Sequence, residues 1–261
     1  VPNGNEQLGR IQRQFRRQAD AYERLASVTD AEALARLVAV SGAGAKDRVL
    51  DVACGPAFLT MTFAERCAAV VGVDGTDVFL DHARAAARRR DLGNVRFVLG
   101  DVERMPLADR SFEVTSCRAA FHHFPSPEVV LREMVRVTRP GARLLIADQV
   151  SSEDPAKAAL HNAIERLCDP THVRALAESE LRALFESHGL SVAFRGRATI
   201  DYSVAEWMSH GGPAPAVARE IERKMRASID GDRAGLAARV EDGELRFSHT
   251  AVSFVLRTPS G

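Results

Sequence analysis

The chain has 261 residues, 46% of them apolar, and its 35 Lys and Arg balance 35 Asp and Glu for a formal net charge of zero. That is enough apolar material for a sizeable core in one domain, and the balanced charge argues against a general binder of phosphate backbones, which shows a basic excess. No apolar run of about 18 residues is present, VPNGNEQLGRIQRQFRR at the start lacks a signal-peptide core, and Cys54, Cys67, Cys117 and Cys168 form no CxxC pair. The expectation is a cytoplasmic protein with reduced thiols and with neither membrane nor nucleic acid as partner. A homo-oligomer is allowed by the sequence but not specified by it.

Taken in chain order, residues 5–40 read as one or two helices that end at Ser41-Gly42-Ala43-Gly44. From there to Gln149 short apolar runs alternate with helical stretches. The runs RVLDVA (48–53), AVVGVD (69–74), VRFVLG (95–100), FEVTSC (112–117) and RLLIADQ (143–149) read as strands. Helices are expected at about 57–67, 77–90 and 127–138. The last opens on Ser126-Pro127-Glu128, with serine as N-cap and proline at the first helical position. The arginines around Arg88-Arg89-Arg90 fall on what reads as a solvated helix face. Such alternation predicts a doubly wound, mostly parallel sheet with helices on both faces. Beyond residue 150 the pattern changes. Helices are expected at 154–168 and 177–188, a strand at 190–200, a polar helical region at 204–240 and a β-rich run at 244–258. We therefore divide one domain into an N-terminal helical cap (1–44), a binding core (45–150) and a segment (151–261) whose helices cap the substrate side while its strands complete the sheet.

In such sheets ligands sit beyond the carboxyl ends of the strands, where strand order reverses. The turn Asp51-Val52-Ala53-Cys54-Gly55-Pro56-Ala57 belongs there. A dinucleotide would need G-x-G-x-x-G facing its pyrophosphate; Gly55 is the sole glycine of this turn, and Asp51 places a carboxylate where a diphosphate is unwelcome and an amino group is favoured. A nicotinamide oxidoreductase is accordingly disfavoured. Asp74, beside Gly75, ends the second strand, where a carboxylate accepts two ribose hydroxyls. Asp101 follows the third strand, in position to accept from an adenine amino group, with the Val102 backbone as a donor to the ring. Arg118, after the fourth strand, faces a ligand carboxylate, the substrate cavity or a neighbouring acid.

The series VLDVACGPA, VVGVD, VLGDVERMPLADRSFEVTSC, HHF and LREMVRVTRPGARLLIADQ resembles the class I S-adenosylmethionine-dependent methyltransferases, and within them the branch similar to the ubiquinone/menaquinone C-methyltransferases, the UbiE-like group. The resemblance runs from residue 48 to 150 and extends more weakly through DPTHVRALAESEL and WMSHGG. It implies a seven-stranded sheet with its last strand antiparallel. It also implies S-adenosylmethionine as cofactor and S-adenosylhomocysteine as product. Ala53 and Gly55 would line the methionine moiety, with Asp74 on ribose, Asp101 and Val102 on adenine, and Phe79 packed near the nucleoside. Tyr22 matches an aromatic in an N-terminal helix that closes over the cofactor in relatives, or else packs as an ordinary helix residue. Ala53 and Ala57 stand where D-x-G-x-G-x-G has glycine.

The function implied is methyl transfer to a small organic acceptor by in-line displacement. Two other classes remain: a scaffold that binds the cofactor without methylating, such as a cyclase, and an NAD(P)-dependent oxidoreductase. A hydroxyl or acidic-carbon acceptor would need a base, and histidine titrates near neutrality. His122, oriented by Asp148 at the end of the fifth strand, is the candidate; the alternative is that His122 and His123 only cap the helix and line the cofactor pocket. His123 points to packing or cofactor. Substrate contacts are assigned to His161, Asp169, His172, Arg174, Tyr202 and Trp207, which otherwise pack the cap. The spacing of His161, Asp169 and His172 fits no compact ligand set, so no metal is expected.

Overall fold

In the computed structural model, which describes residues 4–23 and 29–260 (backbone alone for residues 5, 18 and 20–22), the apolar runs of the first half are parallel strands. Helices α1 (Gly4–Tyr22) and α2 (Ala31–Ser41) precede β1 (Arg48–Val52), α3 (Phe58–Ala64), β2 (Ala69–Asp74), α4 (Asp77–Arg89) and β3 (Val95–Leu99). Then follow β4 (Phe112–Arg118), a 3-10 turn (Phe121–His123), α5 (Pro127–Val137) and β5 (Thr138–Val150). Val49, Leu50 and Val52 are wholly buried, because helices cover both faces of a parallel sheet. The arginine-rich end of α4 turns Ala83 and Ala87 inward and leaves Arg88, Arg89 and Arg90 exposed.

The second half supplies α6 (Pro155–Cys168), α7 (Glu178–Ser187), β6 (Ser191–Ser203), α8 (Val204–Gly211), α9 (Pro215–Ala227), β7 (Arg239–Glu241) and β8 (Glu244–Arg257). Strand order is β3-β2-β1-β4-β5-β8-β6, with β8 antiparallel to both neighbours. Order therefore reverses between β1 and β4, which places the ligand crevice at their carboxyl ends.

Two local expectations are corrected. The region 204–240 is not helical throughout: β7 pairs with β8 as an eighth strand, through a two-residue turn in which Asp242 and Gly243 both have positive φ, 49° and 80°. That is the Asp-Gly turn whose twist suits a hairpin. Ser126 makes no side-chain bond at the start of α5; its carbonyl accepts from Val129 and Val130, and Pro127 presets the first turn.

Apart from a cluster of Leu34, Val49, Phe63 and Val255 that packs α2 and α3 on the sheet's other face, two apolar clusters set the layers. One, with Leu50, Val52, Leu144, Ile146, Phe185 and Phe254, lies between the sheet, α5 and α7. The other, with Ile164, Trp207, Ile221, Met225, Leu236 and Phe247, holds α6, α8 and α9 against β8. Gly211 closes the second cluster, since a Cβ there would lie 2.3 Å from the carbonyl oxygen of Cys168. Among the described residues no helix is long and apolar enough to cross a membrane.

Candidate cofactor cleft and active site

The turn after β1 is shaped by three residues in the left-handed region: Ala53 (φ 52°), Gly55 (φ 53°) and Ala57 (φ 68°). These are the positions at which D-x-G-x-G-x-G carries glycine, so the backbone path of a glycine turn persists here with two alanines. Each alanine bears a strain of about 1–2 kcal/mol in this conformation. Ala57 is fully buried among Met61, Ala83 and Ala87, and contact of its methyl group offsets part of that strain.

The turn borders a cleft, open to solvent, at the carboxyl ends of β1, β2 and β3. Ala53, Gly55, Asp74, Gly75, Phe79, Asp101 and Val102 all line it. Asp74 is 7% exposed, and its two oxygens accept separately from Gly55 N–H (2.8 Å) and Thr76 N–H (2.7 Å). A carboxylate oxygen accepts about two hydrogen bonds, so each keeps a lone pair for the cleft. Burial raises the Asp74 carboxyl above its ordinary value, with the backbone donors opposing. Asp101 accepts from Glu103 N–H at 2.9 Å.

Asp51 is placed differently from expectation. Its carboxylate is 2% exposed and accepts from Thr60 Oγ1 (2.6 Å) and Ser116 Oγ (2.8 Å), tying β1 to α3 and β4 beneath the turn rather than lining the cleft. Burial pushes this carboxyl up to about 6, against the hydroxyl donors and the nearby positive charge of Arg118. Arg118 is half-buried at the end of β4.

The far wall of the cleft comes from α1, through Gly4, Gln7, Leu8, Ile11 and Phe15. Phe15 packs on Phe79 with ring centroids 5.2 Å apart and meets His123 edge-on at 5.8 Å. Gln7 is 2% exposed and donates from Nε2 to the carbonyls of Thr171 (2.7 Å) and His123 (3.1 Å), while its Oε1 has no partner among the described residues. Gln12 donates to Gly75 O, and Arg16 forms a bidentate pair with Asp77, so α1 is fastened to the start of α4. Sequence reading had assigned only Tyr22 on this helix, and that side chain lies outside the described residues. The signal for Ile11 and Phe15 was their i, i+4 spacing, which marks an apolar face without saying what it covers.

His122 and His123 occupy the 3-10 turn after β4. His122 Nδ1 lies 2.6 Å from Asp148 Oδ1, and the other oxygen of Asp148 accepts from Ala120 N–H at 3.1 Å. Burial alone would lower His122, but Asp148 overrides it and holds the imidazole above its ordinary value. Burial likewise raises Asp148, and His122 reverses that to leave it below the usual carboxylate range. His123, not His122, lines the cleft; its ring sits 4.2 Å from that of His122 and its Nδ1 faces the Thr171 carbonyl. Burial lowers His123.

The assigned substrate residues do not line the cleft. Trp207 and Tyr202 pack on Phe247 in the cap cluster, at 5.2 and 5.4 Å between ring centroids. The Arg174 guanidinium faces the surface and pairs with Glu180 at 2.6 Å. Asp169 caps its own turn, accepting from Thr171 N–H and Oγ1. His172 and His161 are buried beside Glu165 and His249, a gathering that connects α6 to β8. Burial pushes His172 down to about 2.

The cleft suits an adenosyl amino acid. Its backbone cradle carries no bulky side chain, an oriented carboxylate stands at the tip of β2, and the orphaned Gln7 Oε1 is a buried acceptor on its wall. Comparison with known proteins agrees. The family described as "Methyltransferase domain" matches residues 50–146. The uncharacterized methyltransferase YcgJ of Bacillus subtilis is 30% identical over 198 residues, 76% of this chain and 78% of that protein. Its crystal structure superposes with a TM-score of 0.81 at 27% identity, covering 88% of this chain and 99% of that one. A demethylmenaquinone methyltransferase of Listeria welshimeri is 30% identical over 185 residues, 67% of this chain and 78% of that protein. With such a crevice, sheet order and similarity over three quarters of its length, the chain belongs to the class I S-adenosylmethionine-dependent methyltransferases, in their UbiE-like branch.

Proposed function

We propose that this protein transfers a methyl group from S-adenosylmethionine to a small organic acceptor, with the donor held in the cleft between the β1 turn and α1. The observation that carries the reading is Asp74: buried, and oriented by two backbone N–H groups with lone pairs left for vicinal hydroxyls. When bound, S-adenosylmethionine supplies a methyl group on a sulfonium that is already a good leaving group.

The chain's own work is then mostly positioning. Ala53 and Gly55 let the amino-acid end approach the backbone. Asp101 and Val102 receive the adenine edge, and Phe79, packed at a tilt against Phe15, gives the nucleoside an apolar face. Holding donor and acceptor in line is worth about 7–11 kcal/mol when the orientation is near that of attack. The α1 wall covers one side of the cleft.

His122, next to the cleft-lining His123, is the base assigned to a hydroxyl or acidic-carbon acceptor that reaches past His123. With Nδ1–H donated to Asp148, the tautomer assigned from this hydrogen bond leaves Nε2 as the base. Such help is worth about 10²–10⁴ in rate. Neutral overall charge supports a small acceptor over nucleic acid. The test is incubation with methyl-labelled S-adenosylmethionine and an extract of the source cells, followed by mass spectrometry. A small molecule that gains the labelled methyl only with active protein supports the reading. Tight cofactor binding with no labelled product from extract or a broad metabolite panel contradicts it.

A further inference from the structure

Behind the cleft, α6 and β8 bring together groups that methyl transfer does not use. His161 and Glu165 lie one helical turn apart on α6, and His249 faces them from β8; one donor atom from each falls within 4.8 Å of the others. All three are at least nine-tenths buried. His249 Nε2 is 2.8 Å from Glu165 Oε1, and His161 Nε2 is 3.7 Å from the same oxygen. The second distance is beyond hydrogen-bond reach, and both ring nitrogens of His161 lack a hydrogen-bond partner among the described residues.

His172 adds an independent sign. Asn162 donates from Nδ2 to the carbonyls of Ala158 and Ala175, and its Oδ1 accepts from Ala175 N–H at 2.7 Å. That fixes the amide, so His172 Nε2, 2.7 Å from the same Oδ1, must carry the ring proton. Its Nδ1 is then a bare lone pair, without a partner among the described residues and 4.0 Å from Glu165 Oε2. Two acceptors facing each other in a dry interior are repulsive unless positive charge lies close by.

We propose that His161, Glu165 and His249 bind one divalent transition-metal ion, zinc being the best match, and that the ion fastens the cap helix α6 to β8. Two imidazoles and a carboxylate are a zinc donor set, with bonds of about 2.0–2.2 Å. Donor atoms around a tetrahedral ion with such bonds stand about 3.3 Å apart. The observed 2.8 and 3.7 Å from Glu165 Oε1 bracket that spacing, and the donor atoms of His161 and His249 lie within 4.8 Å of each other, so side-chain shifts of about an ångström bring all three to one ion. Binding replaces the proton between His249 and Glu165, gives His161 Nε2 a partner and places positive charge beside the His172 lone pair. The pattern is invisible in the sequence because His249 lies 84 residues from Glu165.

The test uses metal-free, untagged protein and does not involve methyl transfer. Zinc titrated against a chromogenic chelator is expected to bind at one equivalent and raise the melting temperature. Glu165→Gln and His249→Gln are each expected to weaken binding by at least about 100-fold, since even groups that only support ligands are worth about 10–100-fold. Cobalt(II) provides a readout on the unaltered chain, independent of whether a variant folds. Visible d–d bands of a tetrahedral nitrogen–oxygen site, without thiolate charge-transfer absorption, are expected. Absence of binding by the parent, undiminished binding by folded Glu165→Gln, or thiolate bands from the cysteines overturns the proposal.

Discussion

Asp51→Asn is expected to make the protein more stable at neutral pH and worse at holding its cofactor. The folded chain raises this carboxyl from 3.8 to about 6, with burial as the main cause. Ionising it is therefore about 3 kcal/mol harder in the folded chain than in the unfolded one. For an acid whose folded pKa lies above its unfolded value, the unfolded state releases the proton first. Stability then falls as pH rises from about 3.8 to about 6, and the full penalty stands above that. Asparagine keeps the shape, offers an oxygen to one hydroxyl and an amide N–H to the other, and carries no charge to desolvate. Urea unfolding from pH 4 to 8 should show a difference near zero at pH 4 that grows to about 2–3 kcal/mol in favour of the variant by pH 7. In the same variant, S-adenosylmethionine should lose more affinity than S-adenosylhomocysteine, because only the former carries the sulfonium charge that Asp51 attracts. A variant less stable than the parent at pH 7, or a difference that does not change with pH, would refute the reasoning.

Asp74→Asn should raise the dissociation constant for S-adenosylhomocysteine by about 10²–10⁴, the loss of two charge-assisted hydrogen bonds of about 1.5–3 kcal/mol each; calorimetry on the folded variant checks it. His122→Gln should lower kcat by about 10²–10⁴ with little change in cofactor affinity, once an acceptor of the hydroxyl or acidic-carbon class is in hand. For the His122–Asp148 pair the stabilisation is largest in the acid-to-neutral window. The lowered Asp148 loses its contribution as pH falls through its folded pKa, and the raised His122 loses its own as pH rises through its folded pKa. Asp148→Asn should therefore destabilise most between about pH 4 and 6.5 and less at pH 9, measured by denaturant unfolding. Gly211→Ala should destabilise by about 1–3 kcal/mol or more, because its methyl meets the Cys168 backbone rather than a movable side chain.

Much of the cleft was legible in the sequence because its chemistry sits at strand ends. Asp74 and Asp101 follow apolar runs whose length and order define an open parallel sheet, and in that topology strand ends converge on the crevice. The left-handed turn was legible through Gly55 but partly hidden by Ala53 and Ala57, which adopt a conformation alanine seldom takes. Contacts made only by docking were not legible. Gln7 reaches the carbonyls of His123 and Thr171, 116 and 164 residues away, and nothing local to LGRIQRQF marks that partnership. Trp207 belongs to the second apolar cluster because α8 folds onto β8, and Tyr202 packs against it because β6 pairs with β8 opposite Phe247, contacts decided outside their own segments. The β7 hairpin did carry a local sign, the Asp-Gly pair at 242–243, but three residues of strand are too few for a period to emerge.

The most direct measurement is a calorimetric titration of the unaltered protein with S-adenosylhomocysteine, followed by NADH and NADPH in separate cells. The account expects saturable one-to-one binding of the adenosyl amino acid, and no binding of either dinucleotide by a turn that has one glycine and a buried carboxylate beneath it. No heat with S-adenosylhomocysteine, or tight binding of a dinucleotide that blocks it, would contradict the assignment of this crevice.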